Sequence, residues 1–172
     1  MINSKYYHYY VEGETDEKMA SILKTDYQYI VSGKIEKFNV IQQELTSTRT
    51  MGLKRGTAVI LVFDTDTNNS DILDKNITFL KKQKNISNVI CIPQVDNLED
   101  ELKRSCRIKQ IKELTGSKSN REFKNDMIKQ NNFKNKLDDK AFNFRNFWNS
   151  LPKNHFSYIK NEASTIKRLP LS

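Results

Sequence analysis

The sequence predicts an α/β protein with a largely parallel sheet flanked by helices, on three observations. Strand-like and helix-like segments alternate through the first hundred of its 172 residues. Residues 58–63, AVILVF, form a continuous apolar run of strand length, the pattern of a central parallel strand covered on both faces. Three of the strand-like segments end on acidic residues, at the carboxyl edge where such sheets place their ligands.

The elements follow in chain order. Tyr6–Val11 is an aromatic and β-branched run stopped by Glu12-Gly13, a strand entering a tight turn. Thr15 or Asp16 then caps a helix with Met19, Ile22 and Leu23 on one face. Residues 27–31 read as a second short strand, closed by Ser32-Gly33. Ile35, Phe38, Ile41 and Leu45 recur at helical spacing, which predicts a helix over residues 35–45. Residues 46–57 hold Gly52, Gly56 and three basic side chains and read as a loop.

The AVILVF strand then runs into the polar turn DTDTNN. Residues 70–84 are helical, with Ile72, Leu73, Ile77 and Leu80 inward, and residues 88–95 form the next strand. From Leu98 the pattern is mostly helical, over residues 98–114, 120–131 and 138–151, with breaks at Gly116-Ser117 and Pro152. Phe142, Phe144, Phe147 and Trp148 are expected in the core, and His8 in a structural role. The division expected is an α/β unit over residues 1–100 with a basic, mostly helical extension over 101–172 packed on it.

The charge is unevenly placed. The chain carries 29 Lys or Arg against 21 Asp or Glu, a formal net of +8. Residues 1–100 hold 12 basic and 14 acidic side chains, whereas residues 101–172 hold 17 and 7. The basic excess therefore belongs to the extension, as fits a flank that holds a polyanion. A solvated helical face is the plainer reading of the same residues.

Cys91 and Cys106 read as reduced thiols, since a chain of this length needs no disulfide to hold a core. No apolar run approaches the ~20 residues of a membrane span. The start of the sequence is too short and polar for a secretory signal, so a cytoplasmic location without membrane association is expected.

Glu12, Asp64 with Asp66, and Asp96 with Glu99 stand at the ends of three strands and would repel one another if bare. A hard divalent cation resolves that repulsion, and magnesium takes one or two carboxylates together with water and phosphate oxygens. Manganese would serve equally. The chemistry suggested is phosphoryl transfer or phosphodiester cleavage.

The pairing of YYVEGETDEKMASIL with VILVFDTDT some 50 residues later resembles the Toprim domain, over about residues 5–100. That resemblance implies a Rossmann-like sheet and a magnesium-dependent site. It places Glu12 on the family's general acid or base, Asp64 and Asp66 on its metal-binding D-x-D pair, and Gly13 on its turn glycine. Asp16 falls on the second acidic position of the nuclease branch, where a further ion is held. Glu99 is assigned to the metal set on weaker grounds, in preference to Asp96.

At 172 residues the sequence leaves no room for the gate domains of the family's topoisomerases, so that activity is not expected. It also has no zinc motif like that beside its primases, with only His8, His155 and two isolated cysteines. The small nucleases of ribosomal-RNA maturation and of the overcoming-lysogenization-defect branch are nearest in size. A nuclease acting on DNA or RNA, in RNA maturation or phage defence and with a possible protein partner, is the expectation. Lys34, Lys103, Arg104 and Arg107, with Lys109 and Lys112, are the candidate phosphate contacts.

Two alternatives stay open. The domain could bind nucleic acid or protein without cutting. A haloacid-dehalogenase-like phosphatase also carries D-x-D after a strand, but Asn68 stands where its Thr or Val belongs and Glu12 is left without a role. Each acid has a plain role too: Asp16 as a helix cap, Glu12 and Glu99 near helix starts, Asp64 and Asp66 in a solvated turn.

Overall fold

The computed structural model describes residues 4–168. Four strands, β1 (Tyr6–Val11), β2 (Lys34–Lys37), β3 (Thr57–Asp64) and β4 (Ile86–Gln94), form one sheet in the order β2-β1-β3-β4. All three pairings are parallel. The chain steps outward from β1 to β2, then returns across β1 to lay down β3. The order therefore reverses between β1 and β3, which makes their carboxyl ends the switch point of the sheet.

Strand alternation sorts the apolar residues into two cores. Tyr9 and Val11 of β1, Ala58, Ile60 and Val62 of β3, and Ile90 and Ile92 of β4 face one side. There they meet Met19 and Ala20 of α1 (Glu14–Ser21) and Leu23 in the π-helical turn Ile22–Asp26 that extends it. Residues of the extension, among them Leu102, Phe123, Phe133, Phe147 and Trp148, complete that layer. Tyr10, Val59, Leu61, Phe63 and Cys91 face the other side, against Phe38, Leu45 and Phe156. The short α2 (Ser47–Thr50) precedes β3, and α3 (Asp71–Lys81) adds Leu73 and Leu80 to this second core. Thr57 through Phe63 are all buried, as the AVILVF run requires.

The extension is built from α4 (Leu98–Ser105), α5 (Lys112–Thr115), α6 (Phe123–Lys129) and α7 (Phe133–Asp139). Lys18 of α1 ties it down: its ammonium donates to the carbonyls of Met127 (2.6 Å), Ile128 (3.0 Å) and Gln130 at the end of α6. Among the described residues no helix is long and apolar enough to cross a membrane.

Several expected elements are corrected. Residues 27–31 are not a sheet strand. Ile30 makes one antiparallel bridge to Lys167, while Tyr27 and Tyr29 stack on each other and reach Phe142 and Phe144. The second strand is instead Lys34–Lys37, so the helix expected over residues 35–45 does not form. Phe38, Ile41 and Leu45 are nonetheless buried, held by turns rather than by helical periodicity. The loop of residues 46–57 contains the single turn α2.

The helix expected over residues 98–114 stops at Ser105, where Cys106 turns extended. Arg107 N–H then donates to the Lys140 carbonyl and Asn143 N–H to that of Ser105, each at 2.7 Å, pairing the chain with a later segment. The helix expected over residues 138–151 is absent, because positive φ at Ala141 (53°) and Trp148 (54°) breaks it at both ends. Its Phe144, Phe147 and Trp148 remain in the core.

Gly33 fixes how the chain enters β2. A Cβ there would lie 2.5 Å from the Tyr7 carbonyl oxygen and 2.9 Å from its carbon, both backbone atoms. Gly33→Ala is expected to cost about 1–3 kcal/mol through the forced shift. Gly52→Ala, where nothing lies within 4 Å, should stay within about 0.5 kcal/mol of wild type. Paired thermal melts check this, and equal melting temperatures for the two variants would refute it.

Candidate functional site

At the switch point, Glu12 follows β1, Asp64 closes β3 and Gln94 closes β4. The Glu12 carboxylate turns inward and accepts the N–H of Asp64 at 3.1 Å, a bond across 52 residues that joins the two strand ends. Asp16, in the first turn of α1, accepts the Gly13 N–H at 3.2 Å, the capping role open to it. Its other oxygen faces the strand ends.

Gln94 connects these acids. Its amide nitrogen donates to Asp16 Oδ1 and to Asp64 Oδ1, each at 2.8 Å. The Trp148 indole N–H donates to Gln94 Oε1 at 3.0 Å. An indole can only donate, so the amide oxygen must face Trp148 and the amide nitrogen must face the carboxyls. The Trp148 backbone N–H in turn donates to Glu101 at 3.0 Å. The other Glu101 oxygen accepts Val95 N–H at 3.1 Å and meets the Arg104 guanidinium at 3.1 Å. A chain of fixed polar groups thus runs from the extension to the acids at the end of the sheet.

Crowding sets the electrostatics. Burial pushes the Asp64 carboxyl up to about 9, and the neighbouring Asp16 and Glu12 add to the rise. Burial likewise pushes Asp16 up to about 6, with Glu12 contributing and the Gln94 and Gly13 donors opposing. Two carboxyls sharing one amide donor in a poorly solvated place cannot both ionise cheaply. Burial and its two acidic neighbours thus favour the neutral form of Asp64.

Asp66 lies outside this group. It is exposed, and its nearest bond is a 3.5 Å contact from the Asn97 amide. Thr65 between the two aspartates anchors the turn, its N–H donating to the Gln94 and Asp96 carbonyls at 3.1 and 2.9 Å. Glu99 pairs with Lys124 of α6 at 3.2 Å. Lys124 also feels Asp64 and Asp16, which help raise its pKa, so it is the cation facing the acids. Asp96 is exposed.

Among the described residues, no three His, Cys, Asp or Glu side chains stand as a ready-made metal-binding group. The Gln94 amide nitrogen sits where Asp16 and Asp64 converge, and Asp66 and Glu99 point to other partners. The oxygen-only donor set still suits a hard divalent cation, and the raised pKa of Asp64 marks a place that favours added positive charge.

The basic candidates divide. Arg104 is committed to Glu101 and the Val95 carbonyl, and Lys103 pairs with Asp100 at 2.6 Å. Arg107, Lys109 and Lys112 lie beyond the end of α4, with Arg107 and Lys109 exposed. Lys34 starts β2 in register with His8, three positions before the carboxyl end of β2 where the acids gather.

Gln94, Trp148, Glu101 and Lys124 escaped the sequence reading. Gln94 left a trace, a polar residue at the acid-bearing end of an apolar strand, whereas Trp148 was legible only as core. Comparison of the chain with family models, with curated proteins and with solved structures found no match.

Proposed function

We propose that the chain is a divalent-metal-dependent nuclease of the Toprim type, acting on DNA or RNA. The observation that carries this reading is the meeting of Glu12, Asp16 and Asp64 at the switch point between β1 and β3. Glu12, Asp16 and Asp64 would hold Mg²⁺ or Mn²⁺ once the Gln94 amide turns aside, whereas Asp66 would have to turn in from solvent and Glu99 to leave Lys124 to complete the expected set. Such an ion supplies charge neutralisation at a phosphate and a bound water of lowered pKa. Glu12, half-buried beside the Asp64 amide, is placed to move a proton at the reacting oxygen. Gln94 and Trp148 hold the carboxyls in position, and Lys124 with the exposed basic residues of the extension favours approach of a polyanion.

Purified protein incubated with Mg²⁺ or Mn²⁺ and a panel of single- and double-stranded DNA and RNA should cleave at least one substrate. Asp64→Ala and Glu12→Ala should each lower the rate about a hundredfold or more. Cleavage that survives either change, or that proceeds equally in excess chelator, overturns the assignment.

The Gln94 bridge favours a second reading, a domain that binds nucleic acid or protein without cutting, its acids closed by an amide. Calorimetry separates the two: heat of Mg²⁺ or Mn²⁺ binding that vanishes in Asp64→Asn supports the first.

A further inference from the structure

We propose that the cavity beside β2, lined by Tyr6, His8, Lys34, Glu36, Arg49 and Lys54 among others, binds the phosphate of a nucleotide or of a nucleic-acid strand. The cavity has a volume of about 490 Å³, within the range of small-molecule sites. It opens toward the amino ends of β1 and β3, where Tyr6 pairs with Thr57. The acids stand at the opposite edge, roughly 13 Å beyond His8 and roughly 20 Å beyond Tyr6 at the rise of a strand. The proposal is therefore independent of the nuclease reading.

The charge of the cavity is one-sided. Lys5, Lys34, Arg49 and Lys54 line it against a single carboxylate, Glu36. Glu36 is already engaged, accepting from the buried His8 ring at 3.1 Å and meeting the Arg49 guanidinium. Among the described residues Lys5, Lys34 and Lys54 pair with no carboxylate. Three ammonium groups held around one concave space repel one another, and a multiply charged anion relieves that repulsion.

The groups are also placed. The Lys5 and Lys54 ammoniums stand 5.5 and 4.8 Å from the centre of the Tyr6 ring, whose faces attract cations. The Arg49 guanidinium lies 4.4 Å over Phe38, which holds its plane beside Glu36. Gly33, pressed on the Tyr7 carbonyl, fixes the entry of Lys34 into β2. Arg49, paired with Glu36 through one nitrogen, would offer its remaining N–H groups, and the unpaired ammoniums carry the rest of the phosphate's charge.

Calorimetry with ATP, and separately with a short single-stranded oligonucleotide, tests the proposal. Wild type should bind at least one. Lys34→Glu with Lys54→Glu should weaken that binding tenfold or more and flatten its salt dependence by about one to two ion equivalents. Lys81→Glu with Lys82→Glu makes the same change of charge on exposed residues that do not line the cavity and should stay within about twofold of wild type. ATP binding alone identifies a free nucleotide as the ligand, and an oligonucleotide that displaces ATP identifies a strand in the same cavity. No binding of either probe at millimolar concentration, or equal losses in the two double variants, overturns the proposal. If circular dichroism shows the first pair unfolded, Lys34→Gln with Lys54→Gln carries the same comparison.

Discussion

Glu101→Ala is expected to destabilise the protein by about 3–5 kcal/mol, the largest effect of any single change outside the apolar cores. The Glu101 side chain is completely buried, and its two oxygens accept from Val95 N–H and Trp148 N–H and meet Arg104. Burial outweighs these donors, so its pKa is raised. Truncation to alanine leaves two buried N–H groups unpaired and opens a void. The Arg104 guanidinium is about a third exposed and can turn to water, so its lost ion pair contributes the smaller share.

The damage should reach the acids. Trp148 sits at φ 54°, a left-handed backbone that a bulky residue holds only when its surroundings insist. Its N–H bond to Glu101 is part of that insistence, and its indole orients Gln94. Glu101→Gln, which keeps one acceptor of the same shape, should lose clearly less stability than Glu101→Ala. Urea unfolding measures both, and a loss below about 1 kcal/mol in the alanine variant would sink the argument.

What the sequence made legible depends on how local each signal was. The AVILVF strand needed only its own composition, and the Asp71–Lys81 helix only its own period. Glu12 and Asp64 stood out because turns and strand ends are local features. The sheet's second strand did not. Lys34–Lys37 is polar because it is an edge, where charge deters further pairing, and nothing in KIEK competes with the aromatic run at residues 27–31.

The aromatic residues after 138 misled for a related reason. Their spacing satisfies a helix, but their burial is set by Tyr27, Tyr29 and β4, more than fifty residues distant in sequence. The Gln94 bridge is the extreme case, since its donors and acceptors come from β4, α1, β3 and the extension. No window of sequence contains such a group, whereas the carboxylates it holds are each marked by their strand.

Without divalent cations, stability should fall as pH rises from about 4 to about 9, and Asp64→Asn should remove most of that fall. An unfolded aspartate releases its proton near 3.8, whereas folded Asp64 holds it to about 9 and Asp16 to about 6. Across that window the folded state binds more protons than the unfolded one, so each unit of pH works against folding. The slope is steepest below about 6, where both groups contribute, and flattens above about 9.

Asn keeps the shape of Asp64 and an oxygen for the Gln94 amide but has no charge to bury. Asp64→Asn should therefore match wild type near pH 4 and exceed it by at least about 2 kcal/mol near pH 9. Added Mg²⁺ or Mn²⁺ should stabilise wild type alone. A cation that binds the ionised site stabilises wild type by about 2.7 kcal/mol at a hundredfold excess over its dissociation constant, and more strongly as pH rises. The variant should gain nothing, and chelator should return wild type to its falling curve. Melts across pH with and without the ion decide it. A stability difference between wild type and Asp64→Asn that stays flat from pH 5 to 9 would mean that Asp64 is ionised in the folded protein, with the Gln94 amide, the Gly13 N–H and Lys124 balancing two crowded charges. That arrangement is the costlier one, because two neutral donors and one exposed ammonium offset only part of what burial takes from a pair of carboxylates.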